Sequence, residues 1–195
     1  AVMTAIVLAG MAAPAVAADG GMYVSMRDAY LGPDYFPTVA GGLKQLGINA
    51  VEVSLSRDFT VGALDSAEKV LLKSDDAAKA YRKKAEELGV NVCALLTACD
   101  FSAGTMADNS AWIARAIELA DLLGAKAVRI DSAMKKEKEL PFDTRVNLFV
   151  EGLKGALDKT ASSKVTLGIE NHGFQGNNLA FLLNVFTLVN SPRLG

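Results

Sequence analysis

The chain has 195 residues, 51% of them hydrophobic and 22% charged, with 22 acids against 20 bases for a net charge of -2. That apolar fraction excludes a disordered chain and gives room for one domain with a substantial core. Lysine and arginine form no continuous stripe, and the nearest approach, Lys135-Lys136-Glu137-Lys138, is interrupted by acid. The composition therefore argues against a nucleic-acid partner and for a small neutral or anionic ligand.

Ala1 to Ala18 carries no charge and closes on Ala15-Val16-Ala17. This resembles the apolar segment and small-x-small cleavage site of a signal peptide, which sets a leader over residues 1–17, a folded domain over 18–195, and a periplasmic or secreted location. A buried first strand or helix in a cytoplasmic protein is the alternative. The segment falls short of the roughly 20 residues of a membrane helix, so no stable span is expected.

Beyond it, strand-like and helix-like patterns alternate. Strands are predicted at Met22 to Met26, Ala50 to Ser54, Asn91 to Thr97, Ala127 to Asp131 and Val165 to Glu170. Pro33-Asp34 opens a first helix that Gly47 closes, and Ser74 caps a second over Asp75 to Leu88. Asp108 or Asn109 caps a third that Gly124 ends. A fourth spans Phe142 to Thr160, and a fifth begins at Asn177 or Asn178. Three helices run into the next strand through one recurring connection: Leu46-Gly47-Ile48, Leu88-Gly89-Val90 and Leu123-Gly124-Ala125.

Repeated βα units give parallel strands, in a doubly wound sheet or a closed barrel. Parity favours the barrel, because one set of each strand is apolar and the other small or polar: Val51 and Val53 against Ala50, Glu52 and Ser54; Val128 and Ile130 against Ala127, Arg129 and Asp131. With the apolar sets under a ring of helices, Arg27, Glu52, Arg129, Asp131, Glu170 and His172 look into one lumen. The third strand fits less well, since Leu95 and Thr97 share the inward parity of Cys93. Cys93 and Cys99, six residues apart on extended chain, lie too far apart to pair. The fold class expected is α/β, a partial (β/α)8 TIM barrel with about five of eight βα units, inactive by itself.

The chemistry concentrates at Gly168-Ile169-Glu170-Asn171-His172-Gly173, where an apolar strand ends in acid, amide and imidazole. Glu170 and His172 project the same way, at the carboxyl end where parallel α/β proteins keep their sites. Glu170 is either a ligand-binding carboxylate or an acceptor for Arg129 or Arg27. His172 is a substrate contact, a support for Glu170, or structural. Glu52 and Asp131 divide between salt bridges and ligand contact, and Arg27 and Arg129 between binding a phosphate or sugar acid and pairing with these acids.

That motif, after four βα units, resembles the fifth strand of the xylose isomerase-like barrels, the sugar phosphate isomerase/epimerase family that also includes endonuclease IV. The resemblance runs from about Gly21 to Gly195, with Val51-Glu52-Val53 and Val128-Arg129-Ile130 as weaker supports. It implies that Glu170 is a ligand to a divalent metal (Mn, Mg, Co or Zn) and a proton-transfer base. Further ligands, an Asp, a His and a second Glu on strands six to eight, are expected beyond Gly195. The implied function is a metal-dependent isomerase or epimerase working on a sugar or sugar derivative through an enediolate. A dehydratase or lyase on a polyol or keto-sugar, hydrolysis at abasic DNA, and a non-catalytic exported sugar-binding barrel are the alternatives. A homo-oligomer is left open.

Overall fold

Five short parallel strands lie side by side in the computed structural model, which describes residues 22–195. The leader reading of residues 1–17 lies outside them. The strands are β1 (Ser25–Arg27), β2 (Ala50–Ser54), β5 (Asn91–Thr97), β6 (Ala127–Asp131) and β7 (Thr166–Glu170), in the order β1-β2-β5-β6-β7. Between β2 and the next helix sits an antiparallel hairpin that periodicity did not reveal, β3 (Thr60–Gly62) with β4 (Lys69–Leu71). After β7 the chain returns: Leu167 N donates to the Arg193 carbonyl at 2.7 Å, and Leu194 bridges Leu167 in parallel. No helix among the described residues is long and apolar enough to cross a membrane.

The helices are α1 (Val39–Leu46), α2 (Asp75–Glu87), α3 (Met106–Leu123), α4 (Phe142–Lys159), a single turn α5 (Gly173–Gly176) and α6 (Leu179–Val189). Two starts differ from expectation. Helix α1 opens at Val39 rather than at Pro33, because Pro37 disfavours helical backbone at Phe36 and Thr38 then accepts from Gly41 N as the cap. Thr105, not Asp108 or Asn109, caps α3: its hydroxyl accepts from Asp108 N at 3.1 Å and donates to the Asp108 carboxylate at 2.7 Å. The first strand also begins later than predicted, at Ser25, with Met22, Tyr23 and Val24 exposed. The recurring Leu-Gly connections hold Gly47, Gly89 and Gly124 at φ of 69°, 69° and 78°, a left-handed turn that glycine adopts without strain.

Sheet parity places the core. Val51, Val53, Leu95, Val128, Ile130 and Leu167 are fully buried on the helix side. The third-strand misfit is resolved by a register shift: Val51 pairs with Val92 but Glu52 pairs with Ala94, so Cys93 is the extra residue of a bulge. From there Ala94 and Leu96 join the lumen set, and Leu95 and Thr97 turn outward. Cys93 and Cys99 are both free and buried.

Helices α3, α4 and α6 close around an aromatic chain, Phe101 edge-on to Phe149 at 4.7 Å and Phe149 edge-on to Phe181 at 5.3 Å. Phe101 lies so close to α4 that a Cβ on Gly152 would meet its ring at 2.2 Å. Gly152→Ala is therefore expected to destabilise the fold by about 1–3 kcal/mol, the usual cost of overpacking, measured as a lower urea midpoint; an unchanged midpoint contradicts this packing. Burial pushes the Cys99 thiol up to about 11, with the Arg57 charge opposing only in part. The fold favours the neutral thiol, so its contribution is complete below the ordinary value of 9.0 and is lost as pH rises from there towards about 11. Native protein at pH 8 should leave Cys99 unmodified by a disulfide reagent that labels it on unfolding, and fast native labelling would refute the burial.

Candidate metal and active site

Strands β6 and β7 run in register to their carboxyl ends, where Asp131 pairs with Glu170. Two neighbouring strands thus finish in carboxylates on the same face, and His172 follows two residues later with the same projection. One ligand atom from each of Asp131, Glu170 and His172 lies within 4.8 Å of the others. His172 Nδ1 is 3.9 Å from Glu170 Oε2.

Below this group stands Arg129. Its Nε and one terminal nitrogen donate to the two oxygens of Glu52, each at 2.8 Å, and its other terminal nitrogen donates to Glu170 Oε2. Asp131 Oδ1 is 4.0 Å from the same guanidinium. Glu52 reaches Arg129 diagonally across β5, where Ala94 stands beside Glu52 and Leu96 beside Arg129. Hydrogen bonds donated to Glu52, together with the Glu52, Glu170 and Asp131 charges, hold the Arg129 pKa above its ordinary value against the cost of burial. Exposure rises along the network, from 17% at Glu52 and 24% at Arg129 to 38% at Glu170 and 61% at His172. Charge is thus locked at the bottom, and donor atoms stand open at the top.

Of the six lumen residues, five therefore meet. Arg27, on the same face and in register with Glu52, makes no ion pair among the described residues, and its Nε is buried without a partner. Asp28 beside it is occupied, accepting from Ser54 N at 2.8 Å and Ser54 Oγ at 2.7 Å.

The turn that carries Glu170 and His172 is held by residues that sequence reasoning missed. Ser132 is fully buried, and its hydroxyl lies 2.6 Å from the Glu170 carbonyl and 2.8 Å from the His172 carbonyl while accepting from His172 N at 2.9 Å. Gln175, also fully buried, donates to the Ser132 carbonyl. Glu137 accepts from Phe174 N at 2.9 Å and Gln175 N at 3.3 Å, so the acid that interrupts the lysine run anchors α5. Gly176 is needed for approach rather than for turning, since a Cβ there would lie 1.8 Å from Ser132 Oγ. Gly173, at φ 71°, does turn the loop.

A cation fits this donor set. Bonds of about 2.0–2.2 Å to carboxylate or imidazole place two ligands on opposite sides of an ion at most about 4.4 Å apart, so shifts of a few tenths of an ångström would close the group. Two oxygens and one imidazole nitrogen suit Mg, Mn, Co or Zn.

Residues 42–195 match the xylose isomerase-like TIM barrel family. Among solved structures, L-ribulose 3-epimerase superposes with a TM-score of 0.64 at 17% identity, over 88% of this chain and 58% of that one. A sugar phosphate isomerase/epimerase from Parabacteroides distasonis ATCC 8503 gives 0.57 at 13%, over 79% and 53%. The probable 3-DHS dehydratase of petrobactin synthesis from Bacillus anthracis gives 0.59 at 12%, over 89% and 61%. At these identities the likeness establishes the fold, and the chain spans between 53% and 61% of the length of these three. No curated protein matches the chain.

Ser132→Ala is expected to cost about 0.5–1.5 kcal/mol in urea unfolding, because it removes the hydroxyl's bonds to the turn while the Glu170 carbonyl still accepts from Ser132 N and His172 N. Unaltered stability would show that the hydroxyl does not hold this turn.

Proposed function

The chain belongs to the xylose isomerase-like TIM barrel family, and from that premise we propose a divalent-metal-dependent isomerase or epimerase acting on a sugar or sugar derivative. The observation that carries the proposal is the convergence of Asp131, Glu170 and His172 at the carboxyl ends of adjacent parallel strands. The similarity to an epimerase, an isomerase/epimerase and a dehydratase supports a sugar-like substrate class.

Asp131, Glu170 and His172 would hold the cation. When bound, it stabilises negative charge developing on substrate oxygen. Glu170 removes the proton from the carbon beside the carbonyl, its carboxylate becoming the carboxylic acid. Returned to the carbonyl carbon while the hydroxyl proton passes to the former carbonyl oxygen, that proton completes an isomerisation. Delivery to the opposite face of the original carbon, by a second acid, completes an epimerisation. His172, the most exposed of the three, orients a substrate hydroxyl. Arg129 keeps its bidentate hold on Glu52, which fixes the floor of the lumen while Glu170 works above it.

The test is solvent-deuterium exchange by the full-length protein with Mn, Mg, Co or Zn across a broad panel of sugars. Exchange beside the carbonyl is expected, removed by a chelator and reduced about 10²- to 10⁴-fold by Glu170→Gln. Absence of exchange with every sugar and every metal would falsify the proposal. Product analysis separates isomerisation and epimerisation from loss of a hydroxyl, the outcome that would make the enzyme a dehydratase.

A further inference from the structure

Arg129 and the candidate metal draw on one oxygen. Glu170 Oε2, the atom 3.9 Å from His172 Nδ1, is also the atom that accepts from Arg129. Asp131 Oδ1 stands 4.0 Å from the same guanidinium nitrogen. A permanent positive charge thus lies beside two of the three side chains that would hold a cation, and it competes with the ion for their oxygens.

What limits that competition is Glu52. It contributes no atom to the donor group, yet it takes the guanidinium by Nε and one terminal nitrogen, each at 2.8 Å, so that only the other terminal nitrogen faces Glu170. An arginine binds a carboxylate most strongly when two of its nitrogens grip both oxygens. Here that grip is given to Glu52, and Glu170 receives a single contact. Released from Glu52, the fork would be free to turn upward and offer two nitrogens to Glu170, or one each to Glu170 and Asp131. The tether is also the better shielded end of the network, with Glu52 17% exposed against 38% for Glu170.

We propose that Glu52 is a positioning residue that sets the metal affinity of the site without touching the ion, by holding Arg129 below the donor group so that Glu170 stays available to the cation. This deepens the metal-dependent reading above and rests on it. The role is one of restraint: the carboxylate of Glu52 keeps a neighbouring cation from occupying the place of the metal.

The experiment is calorimetric titration of the full-length protein, freed of metal by a chelator, with Mn, Mg, Co and Zn in turn. Glu52→Gln should weaken binding about 10- to 100-fold, the usual consequence of losing a group that orients a metal ligand. Glu52→Asp keeps the charge but is one carbon too short to hold both nitrogens, and should weaken binding about 3- to 10-fold, the worth of one hydrogen bond; a through-space effect of the Glu52 charge alone would leave that variant unchanged. In an Arg129→Gln background, where no guanidinium competes for Glu170, Glu52→Gln should change the affinity less than about threefold. The Asp variant needs no change at Arg129, so the test stands even if stranding Glu52 unfolds Arg129→Gln. An Asp variant that binds as tightly as the wild type, an equal loss from Glu52→Gln with and without Arg129, or failure of all four metals to bind the wild type overturns the proposal. The two readings fail separately. Metal binding that ignores Glu52, with deuterium exchange intact, leaves the isomerase standing and removes this role. Glu52-dependent metal binding without exchange into any sugar does the reverse.

Discussion

Arg129 stands on the inner face of β6 with Glu52 two strands to one side and Glu170 one strand to the other, and its charge is tolerated there because carboxylates reach it from both directions. A guanidinium at this depth with no carboxylate in reach would be an uncompensated charge, among the more destabilising events in a folded chain. The two parallel bonds to Glu52 fix the orientation of its plane, and the remaining nitrogen is thereby aimed at Glu170. The position of the candidate catalytic carboxylate thus depends on Glu52, which sits near the floor of the lumen. That pairing crosses β5, where the bulge at Cys93 sets Ala94 beside Glu52 and Leu96 beside Arg129.

Features that one strand determines by itself were legible in the amino-acid order. Alternation of Val51 and Val53 with Glu52, and of Val128 and Ile130 with Arg129, follows from the two-residue period of extended chain, and it named the lumen set before any pairing was known. The Leu-Gly connections were legible for the same reason, as a local backbone requirement of the left-handed turn. What escaped depends on partners. The bulge at Cys93 is a mismatch between β2 and β5, invisible in the alternation of either. The caps of α1 and α3 were present as Thr38 after Pro37 and as Thr105 three residues before Asp108, signals outweighed by Pro33 and by Asp108 itself. Arg27 and Arg129 share one parity, and nothing in the sequence told which of them was neutralised.

The loops show the same division. Glu170 and His172 belong to a recognisable motif, whereas Ser132, Glu137 and Gln175 act on backbone amides and carbonyls, which carry no side-chain signature. Ser132 binds both sides of the turn that separates Glu170 from His172, so the spacing of those two side chains is held from the neighbouring β6–α4 loop. Glu137 fixes the start of α5 from further along that loop. Packed this way, the turn after β7 has little freedom to carry His172 away from Glu170, which suits a site whose donors must converge within a few tenths of an ångström.

The contact between Arg129 and Glu170 is compatible with metal binding on electrostatic grounds. A doubly charged ion at about 2.1 Å attracts the carboxylate more strongly than a singly charged guanidinium at hydrogen-bond distance, since the attraction grows with charge and falls with separation. Glu170 can therefore turn to the cation without a compensating rearrangement, because Arg129 keeps both bonds to Glu52. Without a cation, the guanidinium limits repulsion between Glu170 and Asp131, whose oxygens both lie within reach of the same nitrogen. The ion pair serves as a placeholder, keeping three carboxylates together in a small lumen whether or not an ion is bound among them.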